Sequence, residues 1–167
     1  MRICFVSSAS TWGGGERLLA SLIEGLAKLR GPADQGLEIA LVCCRDSPLA
    51  EWAHQRAGLK VFEQPGRGRA PWCMWQLRKW LKQHKFDVLV LNDPHAITGG
   101  GIASLGLPVK KVGIRHTVFP IRSTLKHNRL LDHVVCVAEA ARDQCIQAGI
   151  KPEKTSVIYA GLETPQV

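Results

Sequence analysis

The sequence predicts an α/β domain on a doubly wound, mainly parallel sheet, and three observations predict it. Short apolar runs alternate with helical patterns along all 167 residues. Several of these runs are apolar throughout rather than alternating, as strands buried on both faces are. A run of three glycines, Gly13-Gly14-Gly15, joins the first apolar run to the first helix.

The first strand has its core at 3–6, inside Arg2-Ile3-Cys4-Phe5-Val6-Ser7, and a helix over 15–30 follows. The Gly-Pro-Ala-Asp-Gln-Gly stretch at 31–36 closes that helix. A strand over 38–43 and a helix over 48–57 come next, with Gly58 where the helix C-cap belongs. A strand over 60–62 then runs into Pro65-Gly66-Arg67-Gly68-Arg69, the clearest loop. Beyond it lie a helix over 71–84, a strand over 88–91, a helix over 96–105 and a strand over 111–114. Strand 133–137, helix 139–148 (ended by Gly149) and strand 156–159 complete one Rossmann-like domain over 1–167.

A hydrophobic content of 46% suits one domain with a sizeable core. No apolar run approaches the ~20 residues that cross a bilayer, and the N-terminus is not a secretory signal. The expected location is cytoplasmic. Cys4, Cys43, Cys44 and Cys136 fall inside strand-like runs, and the six cysteines make no C-x-x-C pair. They read as small buried hydrophobes, so no metal is expected. The formal net charge of +8 implies an anionic partner: nucleic acid, a phosphorylated ligand or anionic lipid.

Ligands of such sheets bind beyond the carboxyl ends of the strands, at the loops around Gly14, Arg67, Asp93 and His116. Gly13, Gly14 and Gly15 offer backbone N–H groups at a helix start, which suits an anion; a plain chain-reversing turn has the same composition. Leu18 stands where a dinucleotide fingerprint needs its third glycine. No Gly-Lys-Ser/Thr follows for a P-loop, and no G-x-S-x-G elbow exists. Glu16 is either a ligand-facing acid or a helix-start cap. Asn92-Asp93-Pro94-His95 reads equally as a cap with proline inside the helix and as a ligand loop for Asp93 and His95. Arg115, Arg122, Lys126, His127 and Arg129 form a basic set that suits a phosphorylated group or a solvated helix face. Trp72, Trp75 and Trp80, interleaved with Arg78, Lys79, Lys82 and Lys85, suit either packing or an anionic membrane surface. No sequence signature supports specific nucleic-acid binding.

Five stretches also follow a family pattern. They are Trp12-Gly13-Gly14-Gly15-Glu16-Arg17, Phe86 to His95, Val112-Gly113-Ile114-Arg115-His116-Thr117, Val135 to Asp143, and Gly149 to Thr164. In this order they resemble the Gly-Gly-x-Glu-Arg loop, fourth strand, fifth strand with its His-Thr, V-x-V-S-E-A-x-R-D junction and V-I-P-N-G-V-D exit of family-four (group 1) glycosyltransferases. Asn92 stands where relatives often carry histidine, and Ala138 where they carry serine.

The resemblance implies one half of a GT-B fold: the N-terminal, acceptor-side domain, without the donor-binding C-terminal domain that carries an Arg/Lys pair and E-x7-E. It implies transfer from a nucleotide-sugar, with retention and without a metal, to a sugar, phosphorylated or lipid-linked acceptor. The chain alone is then expected to be inactive. Gly13, Gly14, Gly15 and Glu16 would approach the donor phosphates. His116 would line the cleft near the transferred sugar, donating from a neutral imidazole, with Thr117 beside it. Asp93, His95, Arg115, Arg122 and Lys126 would serve the acceptor side. Peripheral contact with the inner face of the membrane would fit a role in polysaccharide or glycolipid synthesis. The alternative is a non-catalytic Rossmann-like module that binds a phosphorylated ligand.

Overall fold

The computed structural model describes residues 1–28, 36–66, 68, 70–119, 121 and 124–161. Among them one seven-stranded parallel sheet runs in the order β3-β2-β1-β4-β5-β6-β7. The strands are β1 (Arg2–Val6), β2 (Glu38–Cys44), β3 (Lys60–Gln64), β4 (Val88–Leu91), β5 (Lys110–Arg115), β6 (His133–Cys136) and β7 (Thr155–Val157). The helices are α1 (Gly14–Lys28), α2 (Pro48–His54), α3 (Pro71–His84), α4 (Pro94–Ala103), α5 (Leu125–Leu130) and α6 (Glu139–Gln147), with a 3-10 turn at Pro152–Lys154. This is the doubly wound, Rossmann-like sheet that the sequence predicts.

Uniformly apolar strands give both faces something to bury. In β1, Ile3 and Phe5 pack with Leu19 and Ile23 of α1 and Leu49 and Ala53 of α2. Cys4 and Val6 face the other way, into a cluster with Leu77, Leu81, Ile97 and Ala141. Right-handed crossovers therefore put α1 and α2 on one face and α3, α4, α5 and α6 on the other. On the first face, Val90, Val112, Ile114 and Val135 look onto an open apolar groove of about 620 Å³ beside α1. All six cysteines are buried and none forms a disulfide, and burial pushes the Cys43 thiol up to about 12. Cys4 and Cys43 fill the core as small hydrophobes, while the Cys44 thiol also donates to Gly66 O at 2.8 Å.

Most differences from expectation lie at element ends. The helix expected over 96–105 begins at Pro94, because Asp93 caps it with proline at the first position. The strand expected to reach 137 stops at Cys136, and the last one runs from Thr155 to Val157. The helix over 48–57 ends at His54. The short helix α5 is absent from the sequence reading, and LKHNRL explains why: its two apolar residues, Leu125 and Leu130, are separated by four polar ones, and no side chain caps it. Gly149 does end α6. At φ 94° its N–H reaches Ile146 O while the N–H of buried Ile150 reaches Cys145 O, which is a Schellman closure. The expectations placed on 29–35, Arg67, Arg69 and 162–167 lie outside the described residues.

The order of strands fixes where a site can form. β1 has β2 on one side and β4 on the other, so the loops after β1 and β4 leave toward opposite faces. A crevice opens there, past the carboxyl ends of the strands. No helix among the described residues is long and apolar enough to cross a membrane.

Candidate functional site

Three neighbouring strands, β1, β4 and β5, end in Val6, Leu91 and Arg115, and the residues just past them build the floor of the crevice. The sheet pattern continues into them: Asn92 N–H donates to Val6 O at 2.9 Å, and Ser7 N–H to Val42 O at 2.9 Å. Ser7, Ser8 and Asn92 are buried polar residues, so each needs partners.

Asp93 takes four donors. One oxygen accepts from Ser8 N–H at 2.6 Å. The other accepts from the Ser8 hydroxyl and from His95 and Ala96 N–H at 2.9 and 3.0 Å. One carboxylate thus caps α4 and ties it to the loop after β1. Glu16 is also turned inward and buried. Its Oε2 accepts from Gly13 N–H at 3.1 Å, the return bond of a capping box. Its Oε1 lies 3.4 Å from Ser7 Oγ and 3.5 Å from Asn92 Nδ2.

The remaining donors at the start of α1 stay available. The first backbone bond of the helix runs from Arg17 N–H to Gly13 O, so the N–H groups of Gly14, Gly15 and Glu16 have no intrahelical acceptor. A side chain built on Gly14 would meet nothing within 4 Å, whereas one on Gly15 would meet the His116 ring at 3.6 Å. The glycine turn and His116 therefore lie side by side, as two parts of one wall.

His116 is held by Asn92 through a 2.9 Å bond between Nε2 and Oδ1. The Asn92 amide nitrogen faces two acceptors, Gly15 O and Glu16 Oε1, which leaves its oxygen toward the imidazole. An amide oxygen only accepts, so Nε2 carries the proton and Nδ1 keeps its lone pair. This corrects the expected role of the ring. Its N–H is spent on Asn92, and the free nitrogen is an acceptor.

Burial holds the His116 pKa below its ordinary 6.5, with Arg115 acting the same way and Asn92, Glu16 and Asp93 opposing. An unfolded chain takes up a proton near pH 6.5 that the folded site refuses until lower pH, so stability falls as pH drops through that range. An NMR titration of the His116 ring is expected to show a midpoint below 6.5. A midpoint above it would mean that the Glu16 and Asp93 carboxylates outweigh burial.

The other expected residues do not all join this wall. Arg115 lies on the opposite side of β5, the side on which Gly113 packs against Leu131 and Ile97. Its guanidinium donates to Phe119 O, bracing the loop after β5, and its Nε is buried without a hydrogen-bond partner. Thr117 is exposed. Lys126 donates to Pro94 O at 3.3 Å, joining α5 to the start of α4. His95 lines a small cavity with Ser8, Cys44, Gln64 and Gly66, of which His116 is not a part. Arg122 lies outside the described residues. Sequence reading gave no role to Ser7, Ser8 or Asn92. The only signal was a polar residue directly after each of two apolar strands, and their contact depends on strand order.

A family model described as Glycosyltransferase Family 4 matches residues 12–166. No curated protein matches the sequence. Among solved structures, the chain is similar to Anabaena Alr3699/HepE in complex with UDP-glucose, at 23% identity and a TM-score of 0.75, covering 97% of this chain and 44% of that one. It is similar to a glycosyltransferase from Rickettsia africae ESF-5 at 18% identity and 0.74, covering 95% and 42%. It also resembles a UDP-GlcNAc 2-epimerase from Methanocaldococcus jannaschii at 16% identity and 0.63, covering 94% and 45%. The chain thus spans less than half the length of these structures. At such identities the likeness shows the fold alone, and that fold carries both transfer and epimerisation.

Proposed function

Because this chain belongs to glycosyltransferase family 4, we propose that it is the acceptor-side half of an enzyme that moves a sugar from a nucleotide-sugar to an acceptor with retention. One observation carries the reading. The unbonded N–H groups of Gly14 and Gly15 sit at the start of α1 beside His116, in the crevice past β1, β4 and β5. Backbone donors at a helix start suit a diphosphate. The adjacent Nδ1 suits a hydroxyl of the sugar being transferred. Gly13 falls out of the phosphate role, since Glu16 already occupies its N–H.

The carboxylates of Glu16 and Asp93 lie under this loop and oppose an anion, so the loop alone holds a diphosphate weakly. The greater part of the donor site therefore belongs to a second half, and these residues alone do not transfer sugar. The nucleotide-sugar bound to the Anabaena protein is UDP-glucose, which makes it the first donor to try.

The test is a donor and acceptor screen on a polypeptide with both halves, alongside Gly14→Val. Nothing in the protein occupies the space beside Gly14, so this variant is expected to fold with unchanged stability. Its KM for the nucleotide-sugar is expected to rise at least about tenfold, because the new methyls keep phosphate from the backbone. Normal KM in that variant would remove the loop from the donor site. Absence of transfer from every donor would leave the non-catalytic binding module as the reading.

A further inference from the structure

One aromatic and basic surface has no part in the site. Trp72 and Trp75, at the start of α3, are 60% and 54% exposed, although tryptophan is usually well covered. Their rings stack on each other at 5.3 Å. Trp80, the third tryptophan of this helix, is packed instead against Phe62 and Phe86. At 100° per residue, Trp72, Trp75, Lys79 and Lys82 fall on one outward stripe, and both lysines are exposed. Lys79 Nζ lies 5.8 Å over the Trp75 ring. Next to this stripe, Ile102 and Leu105 at the end of α4 are exposed as well. Arg78 fixes them to α3 by donating to the carbonyls of Ala103 and Leu105.

We infer that this outer face of α3 and α4 docks on an anionic lipid surface. Indole rings rest at headgroup depth, and lysines beside them pair with lipid phosphates. Charge complementarity selects this occupant, since the chain carries a net charge of +8. A second copy would set Lys79 and Lys82 against equal charges. A nucleic acid would want a slot for its bases, but each tryptophan already covers one face of the other, and Ile102 and Leu105 offer it nothing.

The face also has a direction. In a parallel sheet each helix begins at the carboxyl ends of the strands, so Trp72 and Trp75 stand at the same end of the domain as Asn92 and His116. With α3 lying along the leaflet, its crevice end stays beside the lipid, where a lipid-linked acceptor would lie. That last step rests on the transferase reading, whereas the docking does not.

Co-sedimentation of the full chain with vesicles tests the docking. Binding is expected to phosphatidylcholine vesicles containing about one-third phosphatidylglycerol, to weaken with salt, and to be lost on pure phosphatidylcholine. The W72S/W75S and K79E/K82E pairs are each expected to weaken binding at least about tenfold while thermal unfolding is unchanged. Equal binding to both vesicle types, or either pair behaving as wild type, overturns the inference. So does a dimer, or a complex with single-stranded RNA, that W72S/W75S abolishes while vesicle binding persists. If vesicles bind as expected but no lipid-linked acceptor receives sugar, the transferase reading fails and the docking stands.

Discussion

Asp93→Ala is expected to lower the stability of the folded chain by about 3 kcal/mol, from the loss of a helix cap and a charge-assisted bond. The size follows from how the carboxylate is used. Removing it uncaps α4, leaving His95 and Ala96 N–H without an acceptor. It also strands the N–H of buried Ser8. Urea unfolding measures this as a fall in midpoint with an unchanged slope. Asp93→Asn keeps one acceptor oxygen and is expected to lose less. Equal, small losses in both variants would show that the cap alone matters and that the Ser8 tie contributes little.

His116→Ala, in an enzyme with both halves, is expected to lower kcat by about 10²-fold, as removal of one positioned polar contact at a reacting centre does. Folding should change little, because the ring lies at the wall of the crevice and, among the described residues, bonds one partner, Asn92. The companion variant is Asn92→Asp. A carboxylate in place of the amide oxygen favours the imidazolium, so the His116 midpoint is expected to move from below 6.5 to above it. A residue that merely filled space would leave the titration unmoved. Unchanged kcat in His116→Ala would withdraw the histidine from the chemistry and leave it as a wall residue.

Much of this was legible in the chain. Runs such as Ala40-Leu41-Val42-Cys43 admit no solvent face, and the alternation with helices leaves few sheet topologies open. The partnership of the glycine turn with His116 follows from the same logic, since both lie past the carboxyl ends of strands. What the sequence hides is pairing across the fold. Arg115 and His116 are adjacent in the chain, yet alternation along β5 sends them to opposite faces. Asn92 looks like part of a turn until β4 is set beside β1, where its amide meets both Glu16 and His116. Arg78, one cation among several on α3, proves to be a brace for α4 rather than part of a charged surface.

The Ser8–Asp93 tie also bears on when the crevice comes into being. Its two residues are 85 positions apart, and with the contacts of Asn92 to Val6, Gly15 and Glu16 it joins the two wings of the sheet across β1 and β4. The local units, β1-α1-β2 on one wing and β4-α4-β5 on the other, can form separately and early, but a contact of that separation closes late. The binding surface is thus a product of docked wings, not of either alone. Native-state hydrogen exchange should find Ser8 N–H among the slowest amides, opening only when the whole sheet does.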